Sequence, residues 1–355
     1  MCYYVTMQKL HLTELFSGIG AQTAALQRLG ITHIATACEI DPVAHGIYEA
    51  IHGPTPNLGD ITKVKELPYT DVLTYSFPCQ DLSSIGNRKG MEEGSGTRSS
   101  LLWEVGRLLK SATVLPKVLI LENVKELVNK KNMPGFNRWI DFLSDLGYVT
   151  TWQIVNAVDF GIPQNRKRVF AVSVLNSDDS FKFPVAKIST RPLSDFMDEE
   201  KTVTFEFGEG MTGKDKGMVT KIWKTINNTQ STNSTNRIYC QNSILHALTT
   251  QGSHPGNFGA VLYAEGDISV ECPLRNIVKG LPLSHLEDTI DNVRLATPRE
   301  YFRLMGFKDH DFDRAKQWCI ENNKSFSNLY HVAGNSIVVN VLVEIFRSLH
   351  EQWCI

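Results

Sequence analysis

The sequence predicts an α/β protein built on a doubly wound, mostly parallel sheet, with a second, smaller, loop-rich domain. Residues 10–175 alternate short β-branched apolar runs with segments of helical period, which is the pattern of such a sheet. The texture changes after about residue 176, because Asn, Ser, Thr and Gly crowd residues 227–259 and helical period returns only after residue 299. A length of 355 residues fits about two domains.

Each element of the first domain follows from periodicity or from a cap. Apolar, β-branched runs predict strands at 10–16, 34–39, 71–76, 118–121, 149–158 and 168–174. Helical spacing of apolar residues predicts helices at 21–29, 42–52, 101–109 and 136–146. Gly30 ends the first helix, and Asp41-Pro42 caps the second. A last helix at 336–349 is expected to pack back on this domain.

Composition and charge exclude several classes of protein. With 42% hydrophobic and 21% charged residues, the chain is neither disordered nor collagenous nor a coiled coil. A net charge of −2 argues against coating nucleic acid by bulk positive charge, so any such contact needs clustered cations. Seven cysteines without a Cys-x-x-Cys pair suggest neither a disulfide framework nor a zinc site.

Neither a membrane span nor a secretory signal is expected. The most apolar stretch, 336–349, is interrupted by Asn340, Glu344 and Arg347, and it is shorter than the roughly 18 residues that a span needs. The amino terminus lacks a basic region followed by an apolar run and a cleavage site. The expected compartment is therefore the cytoplasm.

The turn at residues 16–20, Phe-Ser-Gly-Ile-Gly, joins the first strand to the first helix. Its glycines allow a ligand to approach the backbone closely, and the helix start offers amide donors. Thr23 replaces the third glycine of a dinucleotide fingerprint, so the ligand need not be a dinucleotide. Glu39 and Asp60 are placed to bind a ribose and an adenine amino group, although each also fits a strand-end acid on a solvated loop.

A cysteine follows the third strand. Pro78-Cys79-Gln80 lies at a carboxy-terminal strand end, where α/β sheets place their sites. A lone buried cysteine is more often a small hydrophobe, so this residue alone leaves both interpretations open. The long Gly- and Ser-rich loop at 81–98 is typical of a lid or of a disordered segment. That loop carries the cations Arg88, Lys89 and Arg98.

Two further motifs stand at the same predicted edge of the sheet. Glu122-Asn123-Val124 comes directly after the fourth strand, which places a carboxylate over the same edge as Cys79. Arg166 and Arg168 lie in a run of three cations at the start of a strand. Such a run is more often a solvated face, but arginine is also the preferred residue for phosphates and carboxylates.

Taken in order, these motifs resemble those of the DNA (cytosine-5) methyltransferases over almost the whole chain, apart from about 180–290. The combination of Pro-Cys-Gln, Glu-Asn-Val and Gln-x-Arg-x-Arg is highly specific. The chain departs from the family at Tyr75-Ser76, where a glycine pair is common, and at Ala296, where leucine is common. The matching segments are FSGIG at 16–20, FPCQ at 77–80, ENV at 122–124, QNRKR at 164–168, RLATPRE at 294–300 and GNS at 334–336.

The resemblance implies a Rossmann-like fold of the class I S-adenosylmethionine (SAM)-dependent methyltransferases. Residues 1–178 and 326–355 would form the SAM-binding catalytic domain, and residues 179–325 the target-recognition domain. The substrate would be a cytosine in a short duplex DNA sequence, flipped into the pocket and covered by the loop at 81–98.

The resemblance also assigns the chemistry. Cys79 would add to carbon 6 of the cytosine, because carbon 5 is too weak a nucleophile to take a methyl group directly. Glu122 would hydrogen-bond ring nitrogen 3 and the amino group. Arg168, and secondarily Arg166, would hold the base oxygen or its phosphate and orient the glutamate.

The same carry-over gives the cofactor and DNA contacts, with no metal. The implied SAM contacts are Phe16, Gly18, Ile19, Gly20, Glu39, Ile40, Asp60, Ile61, Pro78, Asn335 and Ser336. The expected DNA contacts are Gln80, Ser83, Arg88 and Arg98 in the loop, and Thr249, Thr250 and Gln251 in the second domain. The last three fit an ordinary polar turn at least as well.

The expected partner is double-stranded DNA. The enzyme is expected to be a monomer that belongs to a restriction-modification or phage self-protection system. Whether a separate cognate endonuclease exists is left open. Three rival functions remain. A nucleotide-dependent oxidoreductase would explain the glycine turn but leaves Cys79 without a role. A catalytically inactive DNA binder would need neither Cys79 nor Glu122. A tRNA cytosine-5 methyltransferase shares the cysteine chemistry, but the long region between 174 and 294 favours a DNA reader.

Overall fold

The computed structural model describes most of the first predicted domain and parts of the second. The described residues are 9–78, 98–185, 191–198, 238–239, 245–246, 262–264 and 293–353. Of Arg98 the backbone alone is described, at the start of a 3-10 turn. The predicted site residues outside the described set are Cys79, Gln80, Ser83, Arg88, Thr249, Thr250 and Gln251.

Six strands form the main sheet. They are β1 (Leu10–Leu15), β2 (His33–Cys38), β3 (Val72–Tyr75), β4 (Val118–Val124), β5 (Tyr148–Asn156) and, after the short β6 (Gln164–Asn165), β7 (Lys167–Leu175). The order across the sheet is β2-β1-β3-β4-β7-β5. Strands β1 to β4 run parallel, and β7 runs antiparallel to β4 and β5. The predicted mostly parallel α/β sheet is confirmed.

The helices are α1 (Ala21–Arg28), α2 (Pro42–His52), α3 (Leu102–Ser111), α4 (Met133–Asp145), α5 (Pro298–Leu304), α6 (Asp309–Glu321), α7 (Ser327–Asn335) and α8 (Val339–Trp353). Helices α1 to α4 and α8 correspond to predicted periodic segments, with α8 starting at Val339 rather than at residue 336, whereas α5 to α7 had no predicted bounds. The predicted cap is present, since the amide of Val43 donates to Asp41 Oδ1 over 2.8 Å. Helix α8 packs against α1, and Asn340 donates to the carbonyl of Phe160 over 3.0 Å, so the last helix does pack on the first domain.

The core on one face of the sheet joins the strands to α3 and α4. Trp139 is buried, and its indole N–H donates to the Tyr75 hydroxyl over 3.0 Å. Gly106 of α3 lies against this ring, where an added Cβ would stand 3.2 Å from a Trp139 carbon. This packing fixes the carboxyl end of β3, which leads to Pro78.

Strand β4 is longer than the predicted 118–121. It runs to Val124 because β7 pairs with it up to the register Val124↔Arg168. Glu122 and Asn123 therefore lie within the end of the strand, and the prediction that they follow it is wrong. The pairing also brings the amino end of β7 to the edge where β1 to β4 end.

The chain divides into two compact units. The first comprises residues 1–160, 167–187 and 336–355, and the second comprises 161–166 and 188–335. The predicted boundaries at 178 and 326 differ from this division at three segments, 161–166, 179–187 and 326–335.

Contacts within the second unit explain the differences at 161–166 and 326–335. Strand β6 pairs with β9 (Leu245–His246), and the Gln164 side-chain amide donates to the carbonyl of Leu304 over 3.0 Å. Helix α7 contacts α5, because the Tyr301 and Tyr330 rings meet edge to face with centroids 4.8 Å apart. Both segments thus belong with α5 rather than with the main sheet.

Capping and ion pairs organise the described part of the second unit. Thr297 and Glu300 form a capping box at the start of α5, and Glu300 Oε1 also accepts from the amide of Asp198 over 2.8 Å. Arg303 pairs with Asp198 and Asp309 at 2.8 and 2.6 Å. Three short strands, β8 (Ile238–Tyr239), β10 (Leu262–Ala264) and β11 (Val293–Leu295), form a small sheet.

Among the described residues, one segment has the length and hydropathy of a membrane span. It is Ser327–Trp353, of 27 residues, with a mean hydropathy of 1.4 in its most apolar stretch. However, 72% of that stretch is buried inside the protein, and the chain leaves helical geometry at 336–338, between α7 and α8. Burial accounts for the apolar residues, since α8 fills the core beside α1.

Candidate active site

The loops that follow the parallel strands converge on one edge of the sheet. The turn at 16–20 follows β1, Glu39 follows β2, and residues 76–78 follow β3. Glu122 lies near the end of β4, directly before Asn123, which pairs with Val169 of β7. Open α/β sheets bind their ligands at this edge, so the structure gathers the described candidates of the first unit where a site is expected.

Glu122 is held by two side chains from neighbouring strands. The Ser76 hydroxyl donates to Glu122 Oε2 over 2.5 Å, and Arg168 Nε lies 3.3 Å from Glu122 Oε1. The Glu122 and Arg168 side chains are 8% and 19% exposed. The Arg168 guanidinium also donates to the carbonyl of Lys167 over 3.0 Å. Because both carboxyl oxygens have partners, the carboxyl has one defined orientation in a largely water-excluded place.

Asn123 fixes the segment that leads to Cys79. Its side-chain amide donates to the carbonyl of Phe77 over 2.9 Å, and its Oδ1 accepts from the amide of Val124. Phe77 and Asn123 are both buried. The strand that carries Glu122 therefore also sets the path of the chain immediately before Pro78 and Cys79.

Sequence reasoning did not assign roles to Ser76 and Asn123. Ser76 stands where the resemblance indicates a glycine, and this departure was the available signal. A hydroxyl two residues before Pro78, at the end of a strand parallel to β4, is within reach of a β4 carboxylate. For Asn123, the sequence offers one indication of a role, which is its position next to Glu122.

The two predicted arginines have different surroundings. Arg168 pairs with Glu122 in the first unit, whereas Arg166 belongs to the second unit. Arg166 is buried and donates from Nη2 to the carbonyl of Gly334 over 3.1 Å. Arg166 thus contacts the backbone just before Asn335, and the solvated-face interpretation does not hold for it.

The turn after β1 is fixed to the end of β2. Glu39 accepts from the amide of Gly18 at Oε2 and from that of Asp41 at Oε1, each over 2.9 Å. Phe16 has a left-handed backbone with φ of 59°, and its amide donates to the carbonyl of Cys38 over 2.8 Å. An added Cβ at Gly18 would meet no atom within 4 Å, so the turn has open space beside it.

These residues fit the adenosine half of SAM. Ile40 is 71% exposed beside Glu39, which gives a purine an apolar surface to pack against. Each of the two carboxylate oxygens of Glu39 keeps a lone pair that can accept a hydrogen bond from a ribose hydroxyl. Hydrogen bonds from the Thr62 hydroxyl and amide, with Lys63 nearby, lower the pKa of Asp60, so this half-buried carboxylate is ionised and is able to accept a hydrogen bond from an amino group.

The other residues that the resemblance implies as cofactor contacts are mostly buried or bonded to the protein itself. Ile19 and Ile61 are 0% and 5% exposed, so in this conformation they hold the loops in place rather than face a ligand. Asn335 ends α7 in the second unit, with its amide nitrogen 3.1 Å from His331 Nε2. Ser336 is buried in the first unit, and its hydroxyl donates to the carbonyl of Ile337. Pro78 is half-buried.

The described residues include no group of three or more His, Cys, Asp or Glu side chains that could hold a metal ion.

Gly20 begins α1 with a left-handed φ of 75° and faces α2. An added Cβ would lie 2.6 Å from Tyr48 Cε2 and 2.7 Å from His52 Nε2. Gly30 has a similar φ of 71° but open space around it. We expect Gly20→Ala to lower the free energy of unfolding by about 2–4 kcal/mol, because backbone strain and a steric clash add. Gly30→Ala should cost about 1–2 kcal/mol, from strain alone. Urea unfolding of both variants checks this, and equal losses would contradict it.

Glu14 is a fully buried carboxyl on β1, and burial raises its pKa from 4.5 to about 7. Tyr48 is the titratable side chain that contacts it, and the His45 and His52 rings lie 6.0 and 4.9 Å from the Tyr48 ring, between centroids.

The sign of the resulting pH dependence follows from this shift. The folded protein keeps a proton that the unfolded chain releases, so the contribution of Glu14 to stability is complete below about pH 4.5 and is lost as the pH rises through about 7. We expect the difference in unfolding free energy between the wild type and Glu14→Gln to fall by about 2 kcal/mol from about pH 5.5 to 7.5. Urea unfolding of both proteins across this range measures it, and a constant difference would contradict the prediction.

Solved structures of methyltransferases share this fold. The Dnmt2 methyltransferase of S. pombe superposes with a TM-score of 0.71 at 21% sequence identity, over 97% of this chain and 99% of that one. The methyltransferase EhMeth of Entamoeba histolytica superposes with a TM-score of 0.69 at 17% identity, over 97% and 99%. The fold is thus the Rossmann-like fold of SAM-dependent methyltransferases, as predicted.

Sequence comparison narrows the class to one family. The family model for C-5 cytosine-specific DNA methylases matches residues 10–351. The type II methyltransferase M2.ScrFI of Lactococcus lactis subsp. cremoris is 36% identical over 298 residues, which are 83% of this chain and 71% of that protein. M.NgoBI of Neisseria gonorrhoeae, also a type II methyltransferase, is 31% identical over 93% of this chain and 89% of that protein. The chain belongs to the C-5 cytosine-specific DNA methylase family and is a SAM-dependent DNA cytosine methyltransferase.

Proposed function

We propose that this chain transfers a methyl group to carbon 5 of a cytosine flipped out of a short duplex sequence, through a covalent bond between Cys79 and carbon 6. The observation that carries the proposal is the orientation of Glu122 by Ser76 and Arg168 at the end of β4. Asn123, the next residue, holds the segment that leads to Cys79. The Glu122 carboxyl and the segment that leads to Cys79 therefore lie at the ends of two adjacent strands.

In the proposed mechanism the Cys79 thiolate attacks carbon 6, and its electron pair becomes the new S–C bond. The ring electrons shift toward nitrogen 3, where Glu122 holds the hydrogen bond that stabilises the developing charge. This shift makes carbon 5 nucleophilic. SAM, when bound, would supply an electrophilic methyl group to that carbon and leave as S-adenosylhomocysteine. A base then removes the carbon 5 proton, the electron pair of that C–H bond restores the ring double bond, and the pair of the S–C bond leaves with the Cys79 thiolate.

Arg168 supports this chemistry through Glu122. Its guanidinium lies 3.3 Å from one carboxyl oxygen and Ser76 donates to the other, so the base would be bound by the lone pairs that neither partner uses. We propose that its remaining donors bind the oxygen at carbon 2 of the cytosine. Arg166, which donates to the carbonyl of Gly334, would position the segment carrying Asn335 and Ser336 rather than touch the base.

The cofactor site proposed here joins the turn at 16–20 to the ends of β2 and β3. Gly18 gives room for the methionine part, Glu39 binds the ribose hydroxyls, and Ile40 and Asp60 contact the adenine. The open space at Gly18 and the exposure of Ile40 support this assignment.

The relatives support a proposal about the biological setting. Type II methyltransferases of bacteria are among them, as are orphan methyltransferases such as M.SPBetaI of Bacillus phage SPbeta, which is 28% identical over 97% of this chain. We propose that the chain is a monomeric enzyme of a restriction-modification or phage protection system, acting on DNA in the cytoplasm. Residues 179–325 would read the sequence, with Thr249, Thr250 and Gln251 as candidate base contacts and Gln80, Ser83, Arg88 and Arg98 covering the flipped cytosine.

Bisulfite sequencing of genomic DNA from cells that express the chain tests this function, with Cys79→Ala as the matched control. We expect 5-methylcytosine at one short motif in the wild-type culture and none in the control. An unmodified genome despite well-folded, abundant protein would contradict the proposal. Methylcytosine confined to RNA in the same cells would move the assignment to a tRNA or other RNA substrate.

A further inference from the structure

A buried polar cluster lies behind the turn at 16–20. Glu14 on β1 accepts from the amide of Thr23 at Oε1 over 3.1 Å and from the Thr23 hydroxyl at Oε2 over 2.8 Å. The Tyr48 hydroxyl, from α2, also donates to Glu14 Oε2 and lies 2.9 Å from the Thr23 hydroxyl. Glu14, Thr23 and Tyr48 are each no more than 3% exposed.

This carboxyl replaces a cap that the sequence cannot supply locally. Helix α1 begins after Gly20, which has no side chain to cap the helix. Thr23 is the third residue of α1, and its amide is among those that an N-cap side chain normally satisfies. Glu14, on β1, accepts from that amide. Because the carboxyl does the work of a cap, Gly20 need not carry a capping side chain and adopts the conformation that the turn requires.

The cluster also sets the surface against which the turn rests. Tyr48 and His52 are one helical turn apart on α2, and their rings meet edge to face with centroids 4.9 Å apart. His52 Nε2 lies 3.0 Å from the carbonyl of Ile19, and both rings lie directly behind Gly20. The hydroxyl of Tyr48 is held by Glu14, so the carboxyl determines where α2 meets the backbone of the turn.

Stability alone does not explain an acid at this position. A buried carboxyl loses hydration, and a well-packed apolar residue of similar volume generally costs less. The neighbours Leu12 and Leu15 on the same strand are apolar and buried. The arrangement is instead suited to holding two helices and a glycine turn in one geometry.

We infer that Glu14, acting through Thr23 and Tyr48, is a positioning residue that fixes the turn at 16–20 in the shape that binds SAM. The inference rests on the proposed cofactor site. It adds that SAM affinity depends on a cluster that does not touch the cofactor, and that the cytosine chemistry at Glu122 and DNA binding do not depend on it.

Two variants test the role, and a third is the matched control. Tyr48→Phe keeps the ring behind Gly20 and removes the hydroxyl that contacts both Glu14 and Thr23. Glu14→Gln keeps one acceptor oxygen and the side-chain volume. Tyr148→Phe also deletes a buried tyrosine hydroxyl, but this one donates to the carbonyl of Pro116 at the amino end of β4, away from the turn.

The measurements are the dissociation constant for SAM by calorimetry without DNA, kcat at saturating SAM, DNA affinity by gel shift, and the unfolding temperature. We expect Tyr48→Phe and Glu14→Gln to weaken SAM binding by roughly 5–20-fold, with kcat and DNA affinity within about twofold of the wild type. Tyr148→Phe should leave all three constants within about twofold.

The contrary results are distinct from one another. Wild-type SAM affinity in Tyr48→Phe, with only a lowered unfolding temperature, would show a purely structural cluster and overturn the inference. A lowered kcat at unchanged SAM affinity would overturn it as well. If Glu14→Gln does not fold, Tyr48→Phe decides the question. If the wild type itself binds no SAM, the proposed cofactor site fails, and the inference fails with it.

Discussion

Cys79→Ala is expected to reduce methyl transfer by on the order of 10⁴-fold or more while leaving DNA binding within about threefold. Without the thiolate no bond forms at carbon 6, and carbon 5 does not become nucleophilic. Binding depends on many other contacts, and the substitution removes only one sulfur atom. A radiometric methyl-transfer assay beside a gel shift, each with duplex DNA that contains the recognition sequence, measures both quantities.

Cys319→Ala is the matched control for this substitution. Cys319 is a free, buried cysteine in α6, and burial raises the pKa of its thiol, which keeps it protonated and unreactive. Its loss should leave turnover within about threefold. Equal loss of turnover and DNA binding in Cys79→Ala would instead assign Cys79 a structural role.

Glu122→Gln is expected to lower kcat by roughly 10²–10⁴-fold, with a smaller effect on DNA binding. The amide cannot exchange a proton with ring nitrogen 3, and it turns one of the two acceptors for Ser76 and Arg168 into a donor. The Arg168 guanidinium would then be partly buried without a counter-charge, so the unfolding temperature should also fall. Single-turnover kinetics at saturating DNA and SAM separate the chemical step from binding.

Glu126→Gln is the control for the glutamate. Glu126 lies four residues further on, in the 3-10 turn after β4, and is only half-buried. It should keep wild-type kcat. A Glu122→Gln variant with full kcat would contradict the assignment, even if its stability fell as expected, because the ion pair would then serve the fold alone.

The sequence predicted the sheet well because its signals are local. Asp41 caps α2 through a contact with Val43, only two residues away, so the signal does not depend on distant parts of the chain. Runs of β-branched residues favour strands in a parallel sheet, because both faces of such a sheet are buried. The end of β4 was misjudged because it depends on a non-local pairing. Glu122 and Asn123 are polar and do not extend the apolar run, yet β7 supplies hydrogen-bonding partners for them.

The sequence predicts which residues lie at the strand ends that form the site, but it predicts few of the contacts between them. The resemblance identified Glu122 and Arg168, but the partnership of Glu122 with Ser76 depends on the parallel register of β3 and β4. Arg166 and Arg168 are two residues apart, and nothing in their spacing shows that they belong to different compact units. Glu14 gave no signal either, because its partners are 9 and 34 positions away in the chain.

The central claim is a covalent bond between Cys79 and the target cytosine, and one mass measurement tests it most directly. The wild-type chain is incubated with SAM and a duplex that carries 5-fluorocytosine at the target position. Fluorine in place of the carbon 5 hydrogen leaves no proton to remove, so the Cys79 sulfur should stay bonded to carbon 6 after methyl transfer. Intact mass and peptide mapping should show the methylated strand attached at Cys79. A strand attached at another residue, or the absence of an adduct where normal cytosine is methylated, would contradict the account.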